Sequence, residues 1–310
     1  MAIPDAEPRA GKVLDSSRST GSRIRLRFLF LLPWWLFALV GLWVLVVILI
    51  ALDEQYSQIY AQLREGIGLT LYLAFAAYAI ALGVGLFVGL VRANRPTPPP
   101  HGVGIVKILR HTIHALLYNL LTFYVEFMRG IPTLVFLLIA GFIIVPALRD
   151  AINTQFIPLI RTLLNNPEIP DLIWRGRDAG TAIAGLALVY GAFLSEIFRG
   201  GIQSIEKGQL EAARSLGMTF LQTMRFVVIP QAVRRVLPPL GNDFVAMIKD
   251  TSLVTILGVD EITQLARRWS GSTFLYLQTY LVLSLIYLTM TVLGSLLVQL
   301  LERHLRQSER

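Results

Sequence analysis

Apolar residues along this chain fall into long blocks separated by short basic segments, not into the brief alternations of a soluble amphipathic protein. A helix crosses the hydrocarbon core of a bilayer in about 20 residues. Phe28–Leu52, Gly66–Val91, Thr181–Phe198, Val236–Val259 and Tyr280–Leu301 each suit one crossing. The first block is longer than a signal-peptide core, and no small-residue cleavage site follows it, so it is expected to be a retained span. The region Ile113–Pro146 holds 34 residues, too many for one crossing, and Gly130 and Pro132 interrupt it. The expectation there is a helix over about 113–128 lying partly along the cytoplasmic interface, then a span from Ile131. The pattern predicts an all-α, polytopic membrane protein with six transmembrane helices.

Composition agrees. Of the 310 residues, 55% are hydrophobic and 15% charged, whereas a soluble domain carries about 25% charged residues. With cysteine absent, disulfides, thiol nucleophiles and cysteine-ligated metals are excluded. His111 and His114 have a spacing that suits a metal pair, but no carboxylate stands near them and a basic membrane flank accounts for both. The net charge of +8 suits nucleic acid only if position is ignored, because the basic residues flank the apolar blocks. With the N-terminus inside, the cytoplasmic segments hold six Lys/Arg before Phe28, four in 92–112, six in 199–235 and three after Leu301, 19 of the 28 in all. The outer segments hold seven. This split predicts that both termini are cytoplasmic, that 147–178 is an external loop and that 199–235 is cytoplasmic.

That cytoplasmic segment contains the most specific motif. Residues 211–230 read EAARSLGMTFLQTMRFVVIP: Glu211, Ala212 and Ala213, three residues, Gly217, nine residues, Val227, one residue, then Ile229 and Pro230. The spacing resembles the EAA signature of the membrane-spanning subunits of bacterial ATP-binding-cassette importers. Val227 and Ile229 are conservative departures from it. YVEFMRGIPTLV (124–135), YGAFLSEIFRGGIQSIEKGQL (190–210) and IPQAVRRVLPPLGNDFVAMIKDTSLVTILGVDEI (229–262) are similar to the branch that takes up polar amino acids of the histidine, glutamine, arginine and glutamate type. Ile131 stands where RGTP is frequent.

The resemblance covers about residues 66–305 apart from the external loop. It implies a type I importer permease core of five spans, a cytoplasmic tail over 1–27 and an extra N-terminal helix over 28–52. It also implies a multi-pass protein of the bacterial inner membrane, working as a dimer with a second permease copy or a similar subunit. ATPase subunits would dock on the EAA segment, and an extracytoplasmic solute-binding protein would deliver an amino acid. The chain itself would be no enzyme and would bind no cofactor. ATP and Mg would sit on the partner ATPase, in keeping with the absence of a G-x-x-x-x-G-K-[ST] run.

Physical reading adds roles to single residues. Glu211 is expected near a helix start, where the dipole favours a carboxylate. Ala212 and Ala213 allow close approach of another surface, Gly217 permits a sharp turn, and Pro230 limits the following helix. The same segment suits a plain loop helix resting on headgroups. Asn242 and Lys249 share one helical face, as do Asp243 and Asp250, and Thr251, Ser252 and Thr255 extend the polar surface. Charges at that depth are functional or paired. A translocation path or gate and an interhelical salt bridge both fit. Glu126 and Arg129, like Glu196 and Arg199, stand three apart and are expected to pair with each other as interfacial anchors or gate elements. Gly83, Gly85 and Gly89 are read as helix-packing positions. A secondary amino acid transporter driven by an ion gradient is the alternative. It explains intramembrane charge but leaves 203–230 without a purpose.

Overall fold

The computed structural model describes residues 34–98 and 104–307. The expected tail 1–27, the start of the first span, His101 and the end of the proline run lie outside the described residues. The chain divides into two compact units, Met1–Leu49 and Ile50–Arg310. The first is represented by most of helix α1 (Trp34–Leu52), whose Phe37, Leu42 and Leu45 are exposed, as suits a helix meeting acyl chains.

The second unit is a bundle of α2 (Glu54–Arg64), α3 (Ile67–Ala93), α4 (Ile105–Gly130), α5 (Thr133–Leu163), α6 (Ala179–Gln203), α7 (Lys207–Ser215), α8 (Ile229–Asp250), α9 (Ile262–Thr273) and α10 (Tyr276–Gln307). No strand occurs among the described residues. The core joins α3, α5, α6 and α8 through Leu73, Leu137, Leu186, Leu194, Leu240 and Met247. Two glycines set the α3–α6 spacing. A Cβ on Gly85 would meet Leu194 Cβ at 2.7 Å, and one on Gly89 would meet Phe198 Cβ at 2.8 Å. The third glycine of that run, Gly83, meets no neighbour within 4 Å of a Cβ among the described residues.

Four helical stretches among the described residues are long and apolar enough to cross a membrane: Glu54–Ala93, Thr133–Leu163, Ala179–Gln203 and Tyr276–Arg303. The segment expected as a span over 236–259 is an α-helix to Asp250, then a tighter 3₁₀ segment, Thr251–Leu257, that ends at Gly258 with φ +71°. Its Asn242, Asp243, Lys249 and Asp250 keep it out of that group. The helix expected over 113–128 begins eight residues earlier, at Ile105, and ends at the Gly130–Pro132 break.

Residues 147–163, expected as loop, are helical and continue α5 without interruption. The reason lies in how the prolines are accommodated. A proline inside an α-helix clashes with the carbonyl four residues back and donates no hydrogen bond. Here one residue separates each of Pro146, Pro158 and Pro230 from a preceding π-turn, at Ala140–Ile144, Ile152–Phe156 and Met224–Val228. The residue before each proline donates five positions back: Val145 N–H to Ala140 O, Ile157 N–H to Ile152 O, and Ile229 N–H to Met224 O. The wider turn makes room for the ring and the helix continues. The loop proper is 164–178, and it is tied back to α5: Arg161 Nε donates to Ile169 O (2.9 Å), and Leu172 N donates to Asn153 Oδ1 (2.8 Å).

Candidate functional site: the coupling segment and a polar helix wall

Helix α7 carries the EAA residues, and its stop is built locally. Gly217 has φ +74°, its N–H donates to Arg214 O (2.9 Å), and Met218 N–H donates to Ala213 O (3.1 Å). This pair of bonds is a Schellman cap, which needs a left-handed residue and so favours glycine. Thr219 then opens the next turn with a capping box, its hydroxyl accepting from Gln222 N while Gln222 Oε1 accepts from Thr219 N. One hydrogen bond fastens α7 to α8, and a second ties α8 to the end of α6. Gln231 of α8 donates to Gln209 of α7, and Arg235 donates to Ser204 O at the end of α6. Ile205, Val228 and Ala232 form a small core beneath it, with Leu210 and Met224 packed against them.

Three expectations for this segment change. Glu211 is the fifth residue of α7, not in its first turn, so the helix dipole gives it little. Ala213 is 4% exposed and turned into the chain's own packing, which leaves Glu211 and Ala212 on the open side. Pro230 does not separate two elements, because the π-turn before it carries the helix through. Sequence reading also passed over Leu216, Phe220, Leu221 and Phe226, all strongly exposed around the cap. Large apolar residues inside an otherwise polar segment were the available signal.

Further along α8, Lys249 and Asn242 are exposed, and Asp243 and Asp250 are half-buried. Asp250 accepts from Tyr190 of α6 (Oη to Oδ2, 2.9 Å). No ion pair between Lys249 and either aspartate is formed among the described residues. Thr251 is buried with its hydroxyl on Ile248 O, Ser252 is half-buried, and Thr255 donates to Gln264 Oε1 (2.6 Å). The wall therefore consists of one aspartate positioned by a tyrosine and one lysine left open.

At the end of α3, Arg92 is 7% exposed and pairs with Glu196 of α6, with Glu126 of α4 at 3.7 Å, and with Thr122 Oγ1 at 3.3 Å. Glu196 also holds Arg199 (Nε to Oε2, 2.9 Å), the expected pair. The other expected pair does not form, since Glu126 turns to Arg92 and leaves Arg129 exposed. A buried guanidinium demands carboxylates more strongly than an exposed one. Glu261 is a further group that sequence reading did not single out. Fully buried, it caps α9 by accepting from Thr263 N (2.8 Å) and Gln264 N (2.9 Å) and takes a third bond from Tyr287 Oη (3.0 Å). Burial pushes its carboxyl above the usual carboxylate range, against those hydrogen bonds.

Residues 110–307 match the family model of the binding-protein-dependent transport system inner membrane component. The chain belongs to this family. The probable amino-acid permease protein YxeN of Bacillus subtilis is 31% identical over 81% of this chain and 94% of its own length. The glutamine transport system permease protein GlnP of Escherichia coli is 30% identical, covering 79% of this chain and 93% of its own. A crystal structure of an amino acid ABC transporter with histidines superposes with a TM-score of 0.58 at 30% identity, over 81% of this chain and 95% of that one. The chain is thus the all-α, multi-pass permease subunit of an ATP-driven importer of the amino acid uptake type. Nucleotide hydrolysis belongs to a separate subunit, and the family works with an ATPase, a binding protein and a permease partner.

Proposed function

We propose that this permease carries a polar amino acid, with α7 as the ATPase-docking element and the 242–252 face of α8 as part of the path. The observation that carries the reading is the rigid fixture around α7. A helix of nine residues, capped at Gly217, bonded to α8 through Gln231 and seated by Leu210 on the Ile205–Val228–Ala232 core, moves together with α8, and Arg235 ties α8 to the end of α6. A push on its open side from a closing ATPase pair is thereby delivered to the polar wall at the far end of α8. Glu211, Ala212, Leu216 and Phe220 supply the docking face. An amino acid zwitterion needs an anion and a cation partner, and Asp250 and Lys249 offer one of each.

The charge distribution supports cytoplasmic termini, with α7 inside and residues 164–178 and 260–275 outside. ATP and Mg are placed on the ATPase, not on this chain. Two permease copies, or this chain with a similar one, enclose the path, each contributing its exposed Lys249. Uptake of radiolabelled glutamine, histidine, arginine and glutamate into proteoliposomes holding the purified complex tests the reading. ATP inside the vesicles should drive accumulation of at least one of them without an ion gradient. Uptake that follows a proton or sodium gradient and ignores ATP would overturn it.

A further inference from the structure

A cavity of about 590 Å³ lies among α5, residues 175–177, the 3₁₀ segment after α8, and α9. Arg175, Arg177, Arg267 and Arg268 line it, and no carboxylate does. Asp260 pairs with Arg268. Arg177 rests over the ring of Phe142, 5.9 Å from its centroid. That leaves Arg175, Arg177 and Arg267 without a carboxylate within ion-pair distance among the described residues. The nearby Asp178 is occupied in capping α6 through Thr181 N (2.8 Å), and Asp171 is engaged by Arg161 (3.0 Å).

Resting on the importer reading and its orientation, we propose that this arginine-lined cavity is the seat for carboxylate side chains on the surface of the solute-binding protein. The chemistry favours a protein over a small solute. A site for a small ligand buries most of that ligand in a largely apolar lining with a few polar groups. Here all four lining arginines are exposed to solvent. Several exposed forks, each able to hold one carboxylate through two parallel hydrogen bonds, match an acidic protein surface. The location adds a reason. Thr255 lines the cavity and is bonded to Gln264, and it belongs to the 3₁₀ segment that runs on directly from Asp250. A partner seated in the cavity therefore presses on the segment adjoining the polar wall.

The test uses the complete importer in nanodiscs and the purified, loaded solute-binding protein of the same importer. The readout is the binding-protein concentration that half-maximally stimulates ATP hydrolysis. In the double variant Arg175→Glu, Arg267→Glu this concentration should rise about tenfold or more, and its dependence on salt should flatten. Complex yield and basal hydrolysis should stay unchanged. Arg149→Glu, in an arginine paired with Asp150 and not among the lining residues, should shift it less than about twofold. An unchanged half-saturation in the double variant overturns the assignment while leaving the importer reading intact. Unchanged half-saturation with selective loss of acidic-solute uptake also overturns it, because the cavity would then select the solute. A wild-type complex that no solute-binding protein stimulates contradicts the importer reading itself, and this inference with it.

Discussion

Two glycines nine residues apart in the coupling segment should respond in opposite directions to the same substitution. Gly208 lies in the first turn of α7 with ordinary helical φ, and Gly217 closes the helix at φ +74°. Nothing lies within 4 Å of a Cβ built at either position, so neither replacement meets a steric obstacle. At Gly208, alanine should firm the helix by about 0.5–1 kcal/mol. At Gly217, a left-handed alanine costs about 1–2 kcal/mol. Reduced freedom of the open chain returns about 0.4–1 kcal/mol, so the net loss at the midpoints of the two ranges is about 0.8 kcal/mol. A tenfold change in an equilibrium corresponds to about 1.4 kcal/mol. Hydrogen–deuterium exchange over residues 207–219 of the purified complex should therefore speed up about fourfold in Gly217→Ala. It should slow down up to about fivefold in Gly208→Ala. Gly217→Asn should fall between wild type and Gly217→Ala, because asparagine tolerates the left-handed region. Shifts of the same sign at both positions, or no change at 217, would refute the cap as described.

Gly89→Leu should separate α3 from α6, because its Cβ would meet Phe198 Cβ and Ser195 O, both at 2.8 Å; a loss of more than about 2 kcal/mol is expected, read as a lower midpoint in detergent unfolding. Arg92→Met should destabilise by about 1–3 kcal/mol. A double-mutant cycle with Glu196→Gln should show positive coupling, whereas additive effects would mean that the pair contributes nothing. Lys249→Met should leave complex yield unchanged and lower the kcat/KM of uptake about tenfold or more. Normal kinetics in that variant would remove Lys249 from the path.

What could be read beforehand follows the range of the interactions. The helix stop at Gly130–Pro132, the αL glycine at 217 and the EAA spacing are local and were legible. Helix α5 was not, because Pro146 and Pro158 read as breakers until the π-turns before them are seen. The position of Glu211 was misjudged for a related reason, since α7 starts four residues earlier, at Lys207, with no side-chain cap to mark it. The Arg92 cluster joins residues 104 positions apart, beyond the reach of any spacing rule. Glu126 and Arg129 illustrate the cost of relying on one: the helical spacing is right, yet a buried arginine on another helix takes the carboxylate. Lys249 and Asp250 were found from charge in an apolar block, but the tyrosine that orients Asp250 was visible only in the fold.

The chain contains no cysteine, so a single introduced thiol is unique within it. The most direct measurement is to place that thiol at Glu211 (E211C) and apply a membrane-impermeant maleimide to oriented vesicles, with and without the ATPase subunit. Labelling is expected only when the cytoplasmic face is exposed, with protection when the ATPase is bound. Labelling from the outer face, or equal labelling with and without the ATPase, would contradict α7 as the ATPase-docking element.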